Sequence, residues 1–166
     1  MPEPWLRSTL LDVPAIPRAV LHALELAEED IEHWTALLTD AEVSIKPLGL
    51  TPFAFHARHI VHSLDRLLTY AEGAPLNVVQ RAALNVELEP VTHKHSMLAE
   101  FRLGLEDARA RIPQLPLEHL EATRHVGTQR LPASLGGLLV HLADHTQRHS
   151  GQAVVTARLL LALRKG

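Results

Sequence analysis

The stretch SLGGLLVHLADHTQRHSGQAVVTARLLLAL, Ser134 to Leu163, reads as one long helix. Ser134 is a good N-cap, and Leu138, Leu142, Val155, Leu159 and Leu160 recur at helical spacing to mark one side. A helix with an apolar side must bury it against other elements, so the rest of the chain has to supply partners.

Three further segments do so. The first runs from about Pro17 to Leu38, with Val20, Leu21, Leu24, Ala27, Ile31, Trp34 and Leu38 stepping by three and four. The second runs from about Thr51 to Glu72. Thr51 is placed to cap it, Pro52 suits its first turn, Gly73 ends it and Pro75 lies just beyond. The third runs from about Val91 to Arg111 and halts before Pro113. Residues 74–91 form a long connection with a short helical piece near VVQRAAL. IPQLPLEHLEATRHVGTQRLP is a proline-containing crossover. Four long helices with two long connections pack most simply as an all-α four-helix bundle, a single domain over residues 1–166.

Composition agrees. The chain has 166 residues, 46% of them hydrophobic and only 4% aromatic, and Leu and Ala dominate. That length can bury a core, and that mixture favours helices over a β-sandwich. The formal net charge is −3 with no run of like charges, which argues against a nucleic-acid partner. No apolar run approaches the ~20 residues of a membrane span. The N-terminal MPEPWLRSTLLDVP lacks the layout of a signal peptide, so a cytoplasmic protein is expected. There is no cysteine, hence no disulfide, no thiolate nucleophile and no Cys-based zinc site. Histidine, by contrast, occurs 12 times.

Three of those histidines, His141, His145 and His149, stand four residues apart on the last helix. At ~100° per residue, His145 and His149 fall near the middle of the inward side, one turn apart, and His141 lies toward an edge. An i,i+4 pair on one face can give two nitrogens to one metal ion. The second helix adds His56, His59 and His62 in FHARHIVHSLDRLL. Its core stripe is Phe53, Ala57, Ile60, Leu64 and Leu67, which leaves His62 toward solvent, His56 flanking one edge and His59 further round. Either His56 or His59 can reach across to a neighbouring helix. A third donor from there makes a three-histidine site with open positions, the layout of a catalytic metal. The competing reading is a set of core histidines with satisfied hydrogen bonds. A metal meets two demands at once, since it binds neutral imidazole and satisfies a buried ring.

GLTPFAFHARHIVHSLDRLLTYAEG and GGLLVHLADHTQRHSGQAV resemble the DinB family, the DinB/YfiT-like superfamily. The most specific parts are the His-Ile of the second helix and the H-x-x-x-H with the following Gly-Gln. The resemblance implies a bundle connected up-down-down-up, often a homodimer, with three histidines on a divalent metal. On matching positions these are His59, His145 and His149, with His56 as the fallback. It also implies zinc or nickel, with iron or manganese as alternatives. Better-studied relatives use the metal to activate a low-molecular-weight thiol such as bacillithiol or mycothiol. The expected activity is therefore a thiol-dependent S-transferase or isomerase acting on a small electrophile. A metal-dependent hydrolase, or a non-catalytic metal- or ligand-binding stress-response protein, stands as the alternative. The family often has Arg where this chain has Ser150, which removes a cation near the site.

Other residues have two readings each. Gln152 either orients a ligand or is a polar residue at a helix interface, and Gly151 marks a close helix approach. Asp65 and Arg66 are a solvated pair or interhelix contacts. His93 and His95 line the pocket mouth or lie on the surface. Trp5 and Trp34 pack, with Trp5 anchoring the N-terminal arm. Val154, Val155, Leu159, Leu160, Leu161 and Leu163 exceed one inward seam. Either a second copy or the N-terminal arm is expected to cover them.

Overall fold

The computed structural model describes residues 1–164; Lys165 and Gly166, the end of the expected single domain, lie outside the described residues. The protein is mostly helical. The α-helices are α1 (Ala15–Leu37), α2 (Phe53–Ala71), α3 (Val78–Val86), α4 (Lys94–Arg111) and α5 (Leu135–Leu163). A small antiparallel sheet of β1 (Thr123–Val126) and β2 (Leu131–Ser134) precedes α5.

Local chemistry accounts for most boundaries. Ser134 caps α5 by accepting from the Gly137 N–H at 3.0 Å. Gly73 takes φ of 83° just past α2, a region that glycine enters without a Cβ clash. Asn77 and Gln80 close α3 with a reciprocal capping box, both bonds 2.9 Å. Thr51 does not cap α2. Pro52 holds the N-cap position with no side-chain cap, and the Thr51 carbonyl instead accepts from Thr156 Oγ1 at 3.2 Å.

α5 packs against α1 and α2, and α4 packs against the same two helices. Cross-contacts fix the heights. Between α1 and α5, Gln147 donates to the Ala23 carbonyl and Ser150 to Asp30. Between α2 and α4, Arg58 pairs with Glu100 and Arg111 with Asp65 and Glu72. Between α1 and α4, Glu28 pairs with Arg109 and Glu32 with Arg102. Leu24, Ile31, Phe53, Ile60, Leu64, Phe101, Leu105 and Leu139 are fully buried between them.

The crossover is more ordered than its sequence indicates, because it contains the hairpin. Each strand has only four residues, three of the four in β1 (TRHV) are polar and β2 carries Pro132, so neither reads as a strand in the sequence. Tertiary contact holds it, with Arg124 Nε donating to the Ala71 carbonyl at the end of α2. The N-terminal arm also departs from expectation. Trp5 is 63% exposed and does not anchor it. Arg7 does, pairing with Glu25 and Glu29 of α1, together with a Thr9–His22 contact of 3.0 Å. These contacts lay the arm on α1 and leave Val155 and Leu163 exposed.

The close helix approach lies at Gly104 rather than Gly151. A Cβ on Gly104 would come 2.4 Å from Val61 Cβ, whereas one on Gly151 would meet nothing within 4 Å. Gly104→Ala should therefore lose about 1–3 kcal/mol of stability by overpacking. Gly151→Ala should gain up to about 1 kcal/mol from helix propensity. Urea unfolding of both variants checks the opposite signs.

Candidate metal centre

His59 on α2 and His145 and His149 on α5 meet in the groove between the two helices. Each offers a ring nitrogen, and these atoms all lie within 4.8 Å of one another. Two nitrogens bound ~2.1 Å from one ion are at most ~4.2 Å apart, so at most a small rotamer adjustment closes the set. The ring centroids of His149 lie 4.4 Å from His59 and 4.6 Å from His145. All three residues are half-buried, which puts His145 and His149 at the edge of α5 facing α2. The centre of the buried side runs instead through Leu142, Thr146, Ser150, Ala153 and Ala157.

Two neighbours set the ring tautomers. His59 Nδ1–H donates to Glu87 Oε2 at 2.6 Å, which leaves Nε2 with its lone pair. Ser63 Oγ, 3.3 Å from that Nε2, itself accepts from Arg66. His56 Nδ1 and His149 Nδ1 are 3.1 Å apart, so one donates to the other. If His149 donates, its Nε2 is the free nitrogen. Phe55 stacks on the His59 ring, 5.2 Å between centroids and 11° between planes.

Glu87 is the residue that sequence reasoning missed. It sits just past α3, is 3% exposed, and also accepts from Arg66 at 2.7 Å. Burial would raise its carboxyl, but His59, His62 and Arg66 hold it down to about 2. His62 is not in solvent. Its Nε2 lies 2.8 Å from Glu100, and its Nδ1 lies 3.3 Å from Glu87 without the alignment of a hydrogen bond. Glu100 and then Glu87 raise its pKa to about 9, so it is a cation at neutral pH. Nothing in the periodicity of VVQRAALNVELEP distinguishes Glu87 from Glu89.

The remaining candidates fall outside the cluster. His56 is 4% exposed and touches His149 as a neighbour. His141 is half-exposed, with Nδ1 2.9 Å from Asp144. Gln152 is not on the inward face. It is exposed and stands with Val155 on the wall of an adjoining cleft. Ser150 is fully buried and faces Asp30 of α1, whose pKa burial raises despite that hydrogen bond. His93 and His95 lie on the surface. Asp65 and Arg66 each make interhelix contacts, with Arg111 and Glu87 respectively.

Comparison with known proteins adds the family. The model of the DinB superfamily matches residues 23–153, which is most of the chain. The chain belongs to the DinB superfamily. A solved structure of a conserved protein from Enterococcus faecalis superposes with a TM-score of 0.73 at 20% identity, covering 90% of this chain and 99% of that one. At that identity the likeness is one of fold. No curated protein shows a significant match.

The DinB superfamily is metal-binding, and the donor chemistry here fits a divalent cation. Burial lowers the pKa of His145 and of His149 to about 4, with help from neighbouring histidines and Arg148, so both rings are neutral at physiological pH, the form that can donate to a metal. The ordinary histidine value places proton competition below about pH 6.5; burial moves it down. Metal retention by this DinB-superfamily chain should weaken on acidification as protons take the rings, with His145 and His149 the more resistant donors because burial lowers their proton affinity. Equilibrium dialysis from pH 8 to pH 4 reads it directly, and retention that stays flat over that whole range would contradict an all-histidine site.

The metal-free protein has its own pH signature. His56, His145 and His149 have folded values near 4, below the unfolded value. The unfolded chain therefore binds more protons between about pH 6.5 and 4, and stability falls on acidification through that window. His62, raised to about 9, contributes stability that is lost as pH rises from about 6.5 through 9. Urea midpoints of the metal-free protein should peak near pH 6.5 and decline on both sides.

Proposed function

We propose that this chain is a metal-dependent enzyme in which His59, His145 and His149 hold one divalent ion, zinc or nickel in first place and iron or manganese as alternatives. The reaction is the attack of a low-molecular-weight thiol on a small electrophile, by transfer or isomerisation. The observation that carries this reading is the three-histidine cluster, which among the described residues has no fourth protein donor. Such a set leaves coordination positions for a small molecule. When bound, the ion would supply the charge that keeps a coordinated thiol deprotonated at neutral pH. The chain has no cysteine, so a sulfur nucleophile must come from outside. Glu87 holds the proton on His59 Nδ1, and His56 takes the one on His149 Nδ1. Phe55 screens one face of His59 from water.

The test uses untagged protein, metal analysis, and 1-chloro-2,4-dinitrobenzene among a panel of electrophiles, with bacillithiol, mycothiol or no thiol added. Conjugate formation that needs both thiol and metal supports the reading. Turnover without thiol would make water the nucleophile and the protein a hydrolase. Metal binding without turnover would leave a non-catalytic binding protein. The cytoplasm, where such thiols stay reduced, is the compartment this reading assigns.

The same proposal includes an up-down-down-up path for α1, α2, α4 and α5. It is supported by pairs that ascend together between α1 and α5 and between α2 and α4, and run in opposite senses between α2 and α5 and between α1 and α4. A homodimer through α1 and α5 completes it. Ala15, Ile16, Ala19, Val140 and Ala143 line an apolar recess there, and Val140 is 58% exposed. Leu160, by contrast, is 6% exposed and belongs to the core. Light scattering at low micromolar concentration should give a dimer mass that Val140→Glu halves.

A further inference from the structure

Beside the histidine cluster, an open cleft of about 320 Å³ lies between the α2 entrance and α5. Its walls are Leu50 and Thr51 on one side and Arg148, Gly151, Gln152 and Val155 on the other, with His56 and Thr156 at the base. This is the small end of the range for ligand pockets. His56 is 96% buried by its 4% exposure, yet among the described residues its side chain makes one hydrogen bond, the Nδ1 contact to His149. Its Nε2 has no protein partner among the described residues, and it is not among the atoms sealed from solvent.

The tautomers are linked. When His149 offers Nε2 to an ion, its Nδ1 keeps the proton and donates it to His56 Nδ1. His56 must then carry its own proton on Nε2, the nitrogen left facing the cleft. A neutral imidazole in this state is an unpartnered donor at the base of an open pocket. Arg148 adds a guanidinium to the same wall. Its contact with Asp144 is long, 3.4 Å between half-exposed groups, so most of its donors remain free. Its field reaches both His145 and His149, whose proton affinity it lowers. Leu50 and Val155 line the cleft with apolar surface.

We infer that this cleft binds the carboxylate of a small aliphatic acid, with His56 Nε2–H and Arg148 as its donors and Leu50 and Val155 against its hydrocarbon part. The inference rests on the metal reading above, because ion binding selects the required His56 tautomer. It names the substrate class as a short, singly charged anion whose reacting end extends toward His149.

Hexanoate and its uncharged isostere hexanamide are the probes, titrated into zinc-loaded and zinc-free protein and followed by amide shifts in a nitrogen-correlated NMR spectrum. Hexanoate should shift Gly151, Gln152 and Val155 and bind about tenfold more tightly than hexanamide. Arg148→Met should remove that preference, and Val155→Trp, at an exposed position, should block both ligands. The zinc-free protein should still bind hexanoate, a few-fold more weakly. Equal binding of acid and amide would overturn the proposal. So would binding that vanishes with zinc and ignores Arg148→Met, since the carboxylate would then sit on the ion. Zinc stoichiometry in the same samples judges the metal centre separately. A chain that takes no zinc but binds hexanoate through Arg148 supports the cleft and refutes the metal reading.

Discussion

His145→Ala should lower zinc affinity by about 10²–10³-fold, with the fold unchanged. Structural zinc binding in small domains amounts to about 10–16 kcal/mol over four donors, or roughly 2.5–4 kcal/mol for each, and every 1.4 kcal/mol is about tenfold. His145 is one of three donors, so two remaining histidines hold the ion weakly. The ring is half-buried at the groove edge and among the described residues bonds to no other side chain, so its removal leaves no orphaned partner there. His141→Ala is the matched control. That ring is half-exposed, outside the cluster and engaged with Asp144, and its loss should leave zinc affinity within about twofold. Competition with a chromophoric chelator at pH 7.5 measures both. Equal affinities for the two variants would remove His145 from the site.

Glu87→Ala should cost about 3–5 kcal/mol of stability, the usual penalty for breaking a buried ion pair from one side. Glu87 is 3% exposed, and its carboxylate faces Arg66, His59 and His62 together. Arg66 is itself 9% exposed and His62 is a cation at neutral pH, so the alanine variant strands positive charge in the interior. For a chain of this size the melting temperature should drop by about 10 °C. Glu87→Gln keeps the shape and an acceptor for His59, and should lose less. Below its melting temperature Glu87→Ala should also bind zinc about 10–100-fold more weakly, because the proton on His59 Nδ1 is no longer held in place, whereas Glu87→Gln should lose less. Calorimetry and chelator competition separate the two effects. A Glu87→Ala protein with unchanged melting and unchanged zinc affinity would show that the carboxylate holds nothing.

Much of the helical layout is legible in the chain because it is local. Ser134 and Gly73 act through hydrogen bonds and φ preferences within a few residues, and α3 is closed by its own Asn77 and Gln80. The i,i+4 spacing of His145 and His149 dictates a shared face on any helix, whatever packs against it. The lack of cysteine likewise limits the donor chemistry to imidazole and carboxylate before any fold is known.

What only the tertiary structure decided depends on distances between segments far apart in sequence. A helical wheel centred on the apolar side of Leu138, Leu142, Val155, Leu159 and Leu160 turns His145 and His149 inward, with Gln152 close to them. The real centre of α5 lies along Thr146, Ser150 and Ala157, because α1 and α2 press on it from two directions, and this leaves Gln152 and Val155 outside. The choice between His56 and His59 is one of height along α2 relative to α5, which the contact of Thr51 with Thr156 helps to set. Glu87 reaches His59 across a separation of 28 residues, and Gly104 is needed only because Val61 crosses it. Periodicity determines which residues share a face of one helix. It carries no information about which foreign side chain that face will meet, and the site is built from such meetings.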